Sequence, residues 1–379
     1  MCDILKHTTM KTGDKTMKKI HRTLSLFAVA AMCTALLCSC GAVSDSSQTD
    51  SSSKAATTTT ADTTADTTTV GEASSTASAA SAPDSSVSDS SSAVTDDTKT
   101  NGITPAMWKV TSPEGNTMVM LGSFHALKDE CYPLPEAVTN AYNNADILAV
   151  ECDITSTSED GEYMKNLMKQ MLYNDNTKLS QHISEEAYSA LQTYLGYWGM
   201  DISALEVYRP WAVSSTLDTL LIQDSDFDTE KGLDNFLLTT AHADGKEIYE
   251  VESVDFQMNL LINFSDDIYD LMFRSFEGET KESQKQALED LYTAWKSGDI
   301  ETFLEEDNEE ELAGYTEEDK KTAEDYNNQM LYDRNKNMAK AAEDLMSQGK
   351  NVFYVVGAAH YAGEGGIIDL LEKDGYTAE

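Results

Sequence analysis

Three unbroken apolar stretches stand out along the chain, and each ends abruptly in polar chemistry. Met118-Val119-Met120-Leu121 runs into Gly122-Ser123-Phe124-His125, and Ile147-Leu148-Ala149-Val150 into Glu151-Cys152-Asp153. Val352-Phe353-Tyr354-Val355-Val356 runs into Gly357-Ala358-Ala359-His360. Runs of four or five apolar residues without alternation predict strands covered on both faces, as in a parallel sheet. A fourth strand is predicted over 247–251, entering Glu252. Helical periodicity fills the intervals, at Glu136–Asn144, 185–195, 210–221 and 324–347. The pattern predicts an α/β fold: a single domain with a mainly parallel central sheet flanked by helices. In open α/β sheets ligands bind outside the carboxyl ends of the strands. His125, Glu151, Asp153, Glu252 and His360 all fall there.

The chemistry at those ends is a repeated Gly-x-x-His with a Glu-x-Asp between the two copies. Glycine lets the backbone turn sharply and approach its neighbours, so the imidazole arrives just above the sheet edge. One such tetrapeptide carries little information. Two of them with a carboxylate turn between make His125, His360 and Glu151 a candidate metal set, suited to Mn, Fe, Co or Zn. An open coordination position would hold a reactive water, with Glu151 or Glu252 accepting its proton. Glu252 has a second reading, in which it only orients one of the histidines. Arg334 also has two readings: stabilising a developing oxyanion or substrate carboxylate, or pairing with Glu151, Asp153 or Glu252. His182 and His242 lie in polar helical contexts and read as solvated. Asp234 reads as a cap or a local hydrogen bond ahead of a metal ligand.

Ahead of this region the pattern changes twice. Lys6, Lys11, Lys15, Lys18, Lys19 and Arg22 precede an apolar run at 24–37, followed by Cys38-Ser39-Cys40-Gly41. A basic start, a short apolar core and a small residue before a cysteine read as a lipoprotein signal over 1–40. Ser39 precedes the cut and Cys40 carries the lipid, which places the remainder outside the cytoplasm, tethered to a membrane. A start at Met17 would give a more ordinary signal length. Residues 41–100 contain no Leu, Ile, Met, Phe, Tyr or Trp. Such a segment cannot offset the entropy of ordering itself, so a disordered linker is expected, with a reach of roughly 40–45 Å. The folded region is then 101–379. Of six cysteines, only Cys131 and Cys152 fall in it, either bridged or reduced.

The chain carries 27 basic and 66 acidic residues, a net charge of −39. That balance excludes binding built on phosphate neutralisation, so no nucleic-acid partner is expected. The acidic run 301–325 reads as a solvated helical insert. The segment Asp224-Ser225-Asp226-Phe227-Asp228 lacks the glycine and the glutamate a calcium loop needs at positions 6 and 12, where Thr229 and Asn235 stand. The methionine and tyrosine residues of 163–173 read as packing.

Paired Gly-x-x-His motifs flanking Glu-x-Asp resemble the TraB/GumN family, relatives of the Tiki metalloproteases. The resemblance extends over 108–376 in the family's order. It includes Tyr208-Arg209-Pro210-Trp211, Gly232-Leu233-Asp234 with Ala241 and Gly245-Lys246, and Glu250-Val251-Glu252-Ser253 with Gln257. It continues through Arg334-Asn335 with Met338-Ala339 and closes on Gly357-Ala358-Ala359-His360-Tyr361-Ala362-Gly363. The resemblance implies a fold like the erythromycin-esterase, ChaN and Tiki proteins. It also implies metal ligation by His125 and His360, with Glu151 as ligand or general base, and hydrolysis of a peptide, another amide or a cell-envelope substrate. The rival expectation on the same fold is a non-catalytic haem- or small-ligand-binding lipoprotein, and a weaker one is an interaction scaffold. Cys152 departs from the family pattern by placing a thiol beside the site.

Overall fold

The computed structural model describes residues 102–155, 160–304 and 315–379. The predicted signal, with Cys40, and the predicted linker lie outside the described residues. Among those described, no helix is long and apolar enough to cross a membrane.

One six-stranded sheet organises the fold. Its strands are β1 (Met107–Thr111), β2 (Thr117–Ser123), β3 (Ile147–Val150), β4 (Glu247–Glu250), β5 (Val352–Gly357) and β6 (Thr377–Ala378), in the order β4-β3-β5-β2-β1-β6. The four strands read from the sequence are the parallel ones: β2 on β5, β5 on β3, and β3 on β4. Every residue of β3 and β5 is buried, as expected for strands with helices on both faces. The antiparallel edge was not legible in the apolar pattern. β1 turns back onto β2 through Gly115, whose φ of 91° is a conformation few residues other than glycine adopt. The two-residue β6 then pairs with Val110 and Thr111.

Register carries the functional consequence. Ser123 pairs with Gly357, while Val150 pairs with both Val355 and Glu250. The four parallel strands therefore end at the same sheet edge, and the polar segments after them emerge side by side.

Helices pack on that frame. The helix Pro210–Gln223 opens on proline and buries nearly its whole circumference. Its hydroxyls are satisfied by carbonyls one turn back, Ser215 to Trp211 and Thr219 to Ser215. The predicted helix 324–347 is instead two helices, Glu317–Asn327 and Asp333–Met346, joined by a π-helical turn at Asn328–Tyr332. A period of 3.6 cannot announce that inserted residue. Of the acidic run, 305–314 lie outside the described residues; in the rest, Asp319 joins the cap of Glu317–Asn327, is buried, and pairs with Arg274. The Asp224–Asp228 loop satisfies itself as well. Asp224 pairs with Lys281 and Lys285, and Asp228 accepts from the Glu230 amide.

Candidate metal and hydrolytic centre

His125 follows β2 in a turn held against the start of the helix Leu233–Asp244. The Leu233 amide donates to the Phe124 carbonyl at 3.0 Å, and Leu127 and Asp228 exchange backbone hydrogen bonds. A Cβ at Gly232 would lie 2.0 Å from the His125 carbonyl oxygen, so only glycine admits this approach. The reward is positional. Asp234, in the first turn of that helix, accepts a hydrogen bond from His125 Nδ1 at 2.7 Å. Asp234 therefore fixes the His125 ring instead of serving as a local cap.

His360 is set by the opposite wall. The π turn delivers both Arg334 and Asn335 to the buried side of Asp333–Met346. Asn335 Nδ2 donates to the Gly365 carbonyl, so its Oδ1 must be the atom 2.7 Å from His360 Nδ1. An amide oxygen only accepts, which puts the imidazole proton on Nδ1 and the lone pair on Nε2. That nitrogen faces Glu151 Oε1 at 3.8 Å. Sequence reasoning did not assign the two orienting residues, Asp234 and Asn335, to the site. Their bonds to the histidines span 109 and 25 residues of chain.

Glu151 sits between the imidazoles. Its Oε1 accepts from the Gly357 amide at 2.7 Å, and its Oε2 from Arg334 Nη2 at 2.7 Å and Gln257 Nε2 at 2.9 Å. Arg334 also forks onto Glu252, with Nε 2.9 Å from Oε1 and Nη2 2.8 Å from Oε2, while its Nη1 donates to the Met330 carbonyl. At 6% exposure this guanidinium is spent on two buried carboxylates, which is the ion-pair reading of Arg334. Glu252 holds Arg334 and Gln257, and the residues that orient the histidines are Asp234 and Asn335. Asp153 leaves the cluster and bonds His242 Nε2 at 2.7 Å, so His242 is anchored as well as partly solvated. His182 is likewise held, by Asp266 and Thr177.

A single point summarises the convergence. A Cβ on Gly357 would lie 3.1 Å from Glu151 Oε1, 3.5 Å from His125 Nε2 and 3.6 Å from His360 Cδ2. Glycine leaves that point open. Two imidazoles with fixed Nδ1 partners, plus one ionised carboxylate, are the donor chemistry of a borderline transition ion. Among the described residues, however, no three His, Cys, Asp or Glu side chains are already drawn into a ligating group. Both Glu151 oxygens are held by Arg334, Gln257 and the Gly357 amide. Cys152 supplies no thiolate: burial pushes its thiol up, and Sγ donates to Gln257 Oε1. Cys131 contacts the Tyr292 hydroxyl, and the two cysteines are not bridged to each other.

The ionisation states follow from the surroundings. Burial alone would raise the Glu151 pKa, but Arg334, His360, His125 and the Gly357 amide hold it well below the usual carboxylate range. Burial and the Arg334 charge push His360 down to about 3. Burial disfavours a charged His125 too, yet the Asp234 charge and hydrogen bond outweigh it and raise the group to about 9.

These two shifts act oppositely on stability. His360 binds a proton in the unfolded chain below about 6.5 but not in the native one, so stability falls as pH drops from 6.5 toward 3. His125 gains stability from its proton below 6.5 and loses it as pH rises from 6.5 to about 9. With a chelator present, the wild type is expected to lose about 2 kcal/mol at pH 5 through His360 alone. Urea denaturation of His360→Gln across pH 4–7 should show a shallower acid limb. An unchanged limb would contradict the buried neutral imidazole.

The comparisons with known proteins bear on the family. The model of the TraB/PrgY/gumN family matches residues 106–379. The chain is 26% identical over 157 residues to YbaP of Escherichia coli (strain K12), itself uncharacterized, covering 41% of this chain and 56% of YbaP. It is 25% identical over 290 residues to the metalloprotease TIKI homolog of Nematostella vectensis, covering 65% of this chain and 60% of that one. With metalloprotease TIKI2 of Danio rerio it shares 26% over 164 residues, covering 39% and 32%. The chain thus spans under two thirds of the length of these relatives. No solved structure matches. A family match from β1 to the last residue, taking in both Gly-x-x-His turns and the residues that orient them, makes this chain a member of the TraB/PrgY/gumN family.

Proposed function

We propose that the protein is a metal-dependent hydrolase of peptide or other amide bonds, held outside the cytoplasm by a lipid on Cys40. The observation that carries the reading is the convergence of His125 Nε2, His360 and Glu151 Oε1 around Gly357. The TIKI relatives are named metalloproteases, and they supply the reaction class.

His125, His360 and Glu151 would hold a divalent Mn, Fe, Co or Zn ion, which supplies an acidified water and a polarised carbonyl when bound. Everything else falls to the chain. Asp234 and Asn335 keep both rings turned with Nε2 inward. Arg334 keeps Glu151 ionised at any physiological pH, which suits a ligand better than a proton acceptor, since a general base works best with a pKa near the operating pH. Glu252 is bonded through both oxygens and serves to hold Arg334.

The test is cleavage of a mixed set of unstructured peptides, read by mass spectrometry, after loading with each of the four ions. Cleavage that stops with a chelator and in His125→Ala is the expected result. Loaded protein that cleaves nothing, or cleavage indifferent to the chelator, would overturn it. A Soret shift on haem titration that depended on His125 would favour the ligand-carrier reading instead.

A further inference from the structure

Beside His125 lies a small cleft, open to solvent and lined by Phe124, Ala126, Leu221, Ile222 and Leu288. Its lining is almost wholly apolar except for Ser123, Asp218 and His125. Asp218 is 8% exposed, and its Oδ2 has no hydrogen-bond partner; neither has Ser123 Oγ in the same lining. Nothing in the catalytic reading uses either atom.

We propose that this cleft is a substrate subsite for an aliphatic side chain ending in an amine, a lysine of the substrate peptide, with Asp218 and Ser123 receiving the ammonium. A buried carboxyl without a partner is costly in either protonation state, and native proteins seldom keep one unless something arrives to satisfy it. Leu221, Ile222, Leu288 and Phe124 offer the surface a chain of methylenes buries. The ammonium brings three donors and no acceptor, which is what a carboxylate and a hydroxyl oxygen lack, and it asks no donor of an apolar wall. His125 shares the lining, but Asp234 balances its charge at 2.7 Å. A net charge of −39 on the whole chain draws cations toward the protein as well. Burial holds the Asp218 carboxyl well above its usual range.

That the amine belongs to a peptide rests on the hydrolase reading, so the experiment separates the two. Binding of N-acetyl-lysine methylamide and N-acetyl-norleucine methylamide is measured by ligand-observed NMR on the metal-free full-length protein. The wild type should prefer the lysine compound at least tenfold, and Asp218→Asn should abolish the preference. Equal or tighter norleucine binding would overturn the subsite, as would no binding of either, or a lysine preference that survives in Asp218→Asn. The wild-type comparison stands even if the variant misfolds. Lysine binding in a protein that cleaves no peptide would keep the subsite and sink the hydrolase. Cleavage without preference for lysine would do the reverse.

Discussion

Replacing Arg334 by methionine should cost about 3–5 kcal/mol of unfolding free energy, because it strands Glu151 and Glu252 as buried carboxylates without their cation. Methionine fills much of the volume, so packing loss is the smaller part. The penalty has a signature. Without the guanidinium, burial pushes the Glu151 carboxyl up, so the variant should recover stability on mild acidification where the wild type loses it. Arg334→Lys keeps the charge but cannot reproduce the fork onto Glu151, Glu252 and the Met330 carbonyl, and should fall between. Denaturant midpoints from pH 5 to 8 check both. A loss under about 1 kcal/mol for the methionine variant would mean that the buried pair does not hold the site together.

Glu151→Gln is expected to remove activity by 10²-fold or more and to destabilise by about 2–4 kcal/mol despite identical shape. Both carboxylate oxygens face donors: the Gly357 amide on one side, Arg334 and Gln257 on the other. Whichever way the new amide turns, its NH₂ meets an N–H, and at least one buried donor is left unsatisfied. Peptide cleavage by the ion-loaded variant and urea midpoints at pH 7 read the two effects. Wild-type activity in this variant would remove Glu151 from the chemistry. Wild-type stability would contradict its bonding.

The sequence disclosed the strands that matter because their burial on both faces leaves an unbroken apolar run, and the run's end marks the sheet edge. It therefore also disclosed His125, Glu151 and His360, which stand one to three residues beyond the strand ends, whereas Glu252 follows β4, whose residues are mostly exposed. It concealed β1 and β6, where polar residues stand among apolar ones and leave no run to see. The π turn before Arg334 was hidden because one extra residue per turn leaves no compositional trace. Asp234 and Asn335 were present in the motifs read as Gly-Leu-Asp and Arg-Asn, but their work depends on which helix lies against which strand. Asp218 gave least warning of all. In a helix read from its pattern alone, one aspartate looks like a solvated face, and only the packing of Pro210–Gln223 turns it inward.

Elemental analysis of the purified protein beside His125→Ala and His360→Ala tests the central claim most directly. The account predicts about one equivalent of Mn, Fe, Co or Zn in the wild type, after reconstitution if necessary, lost in each variant while both remain folded. No ion in the wild type, or an ion retained in both variants, would contradict a shared metal centre at the ends of β2, β3 and β5.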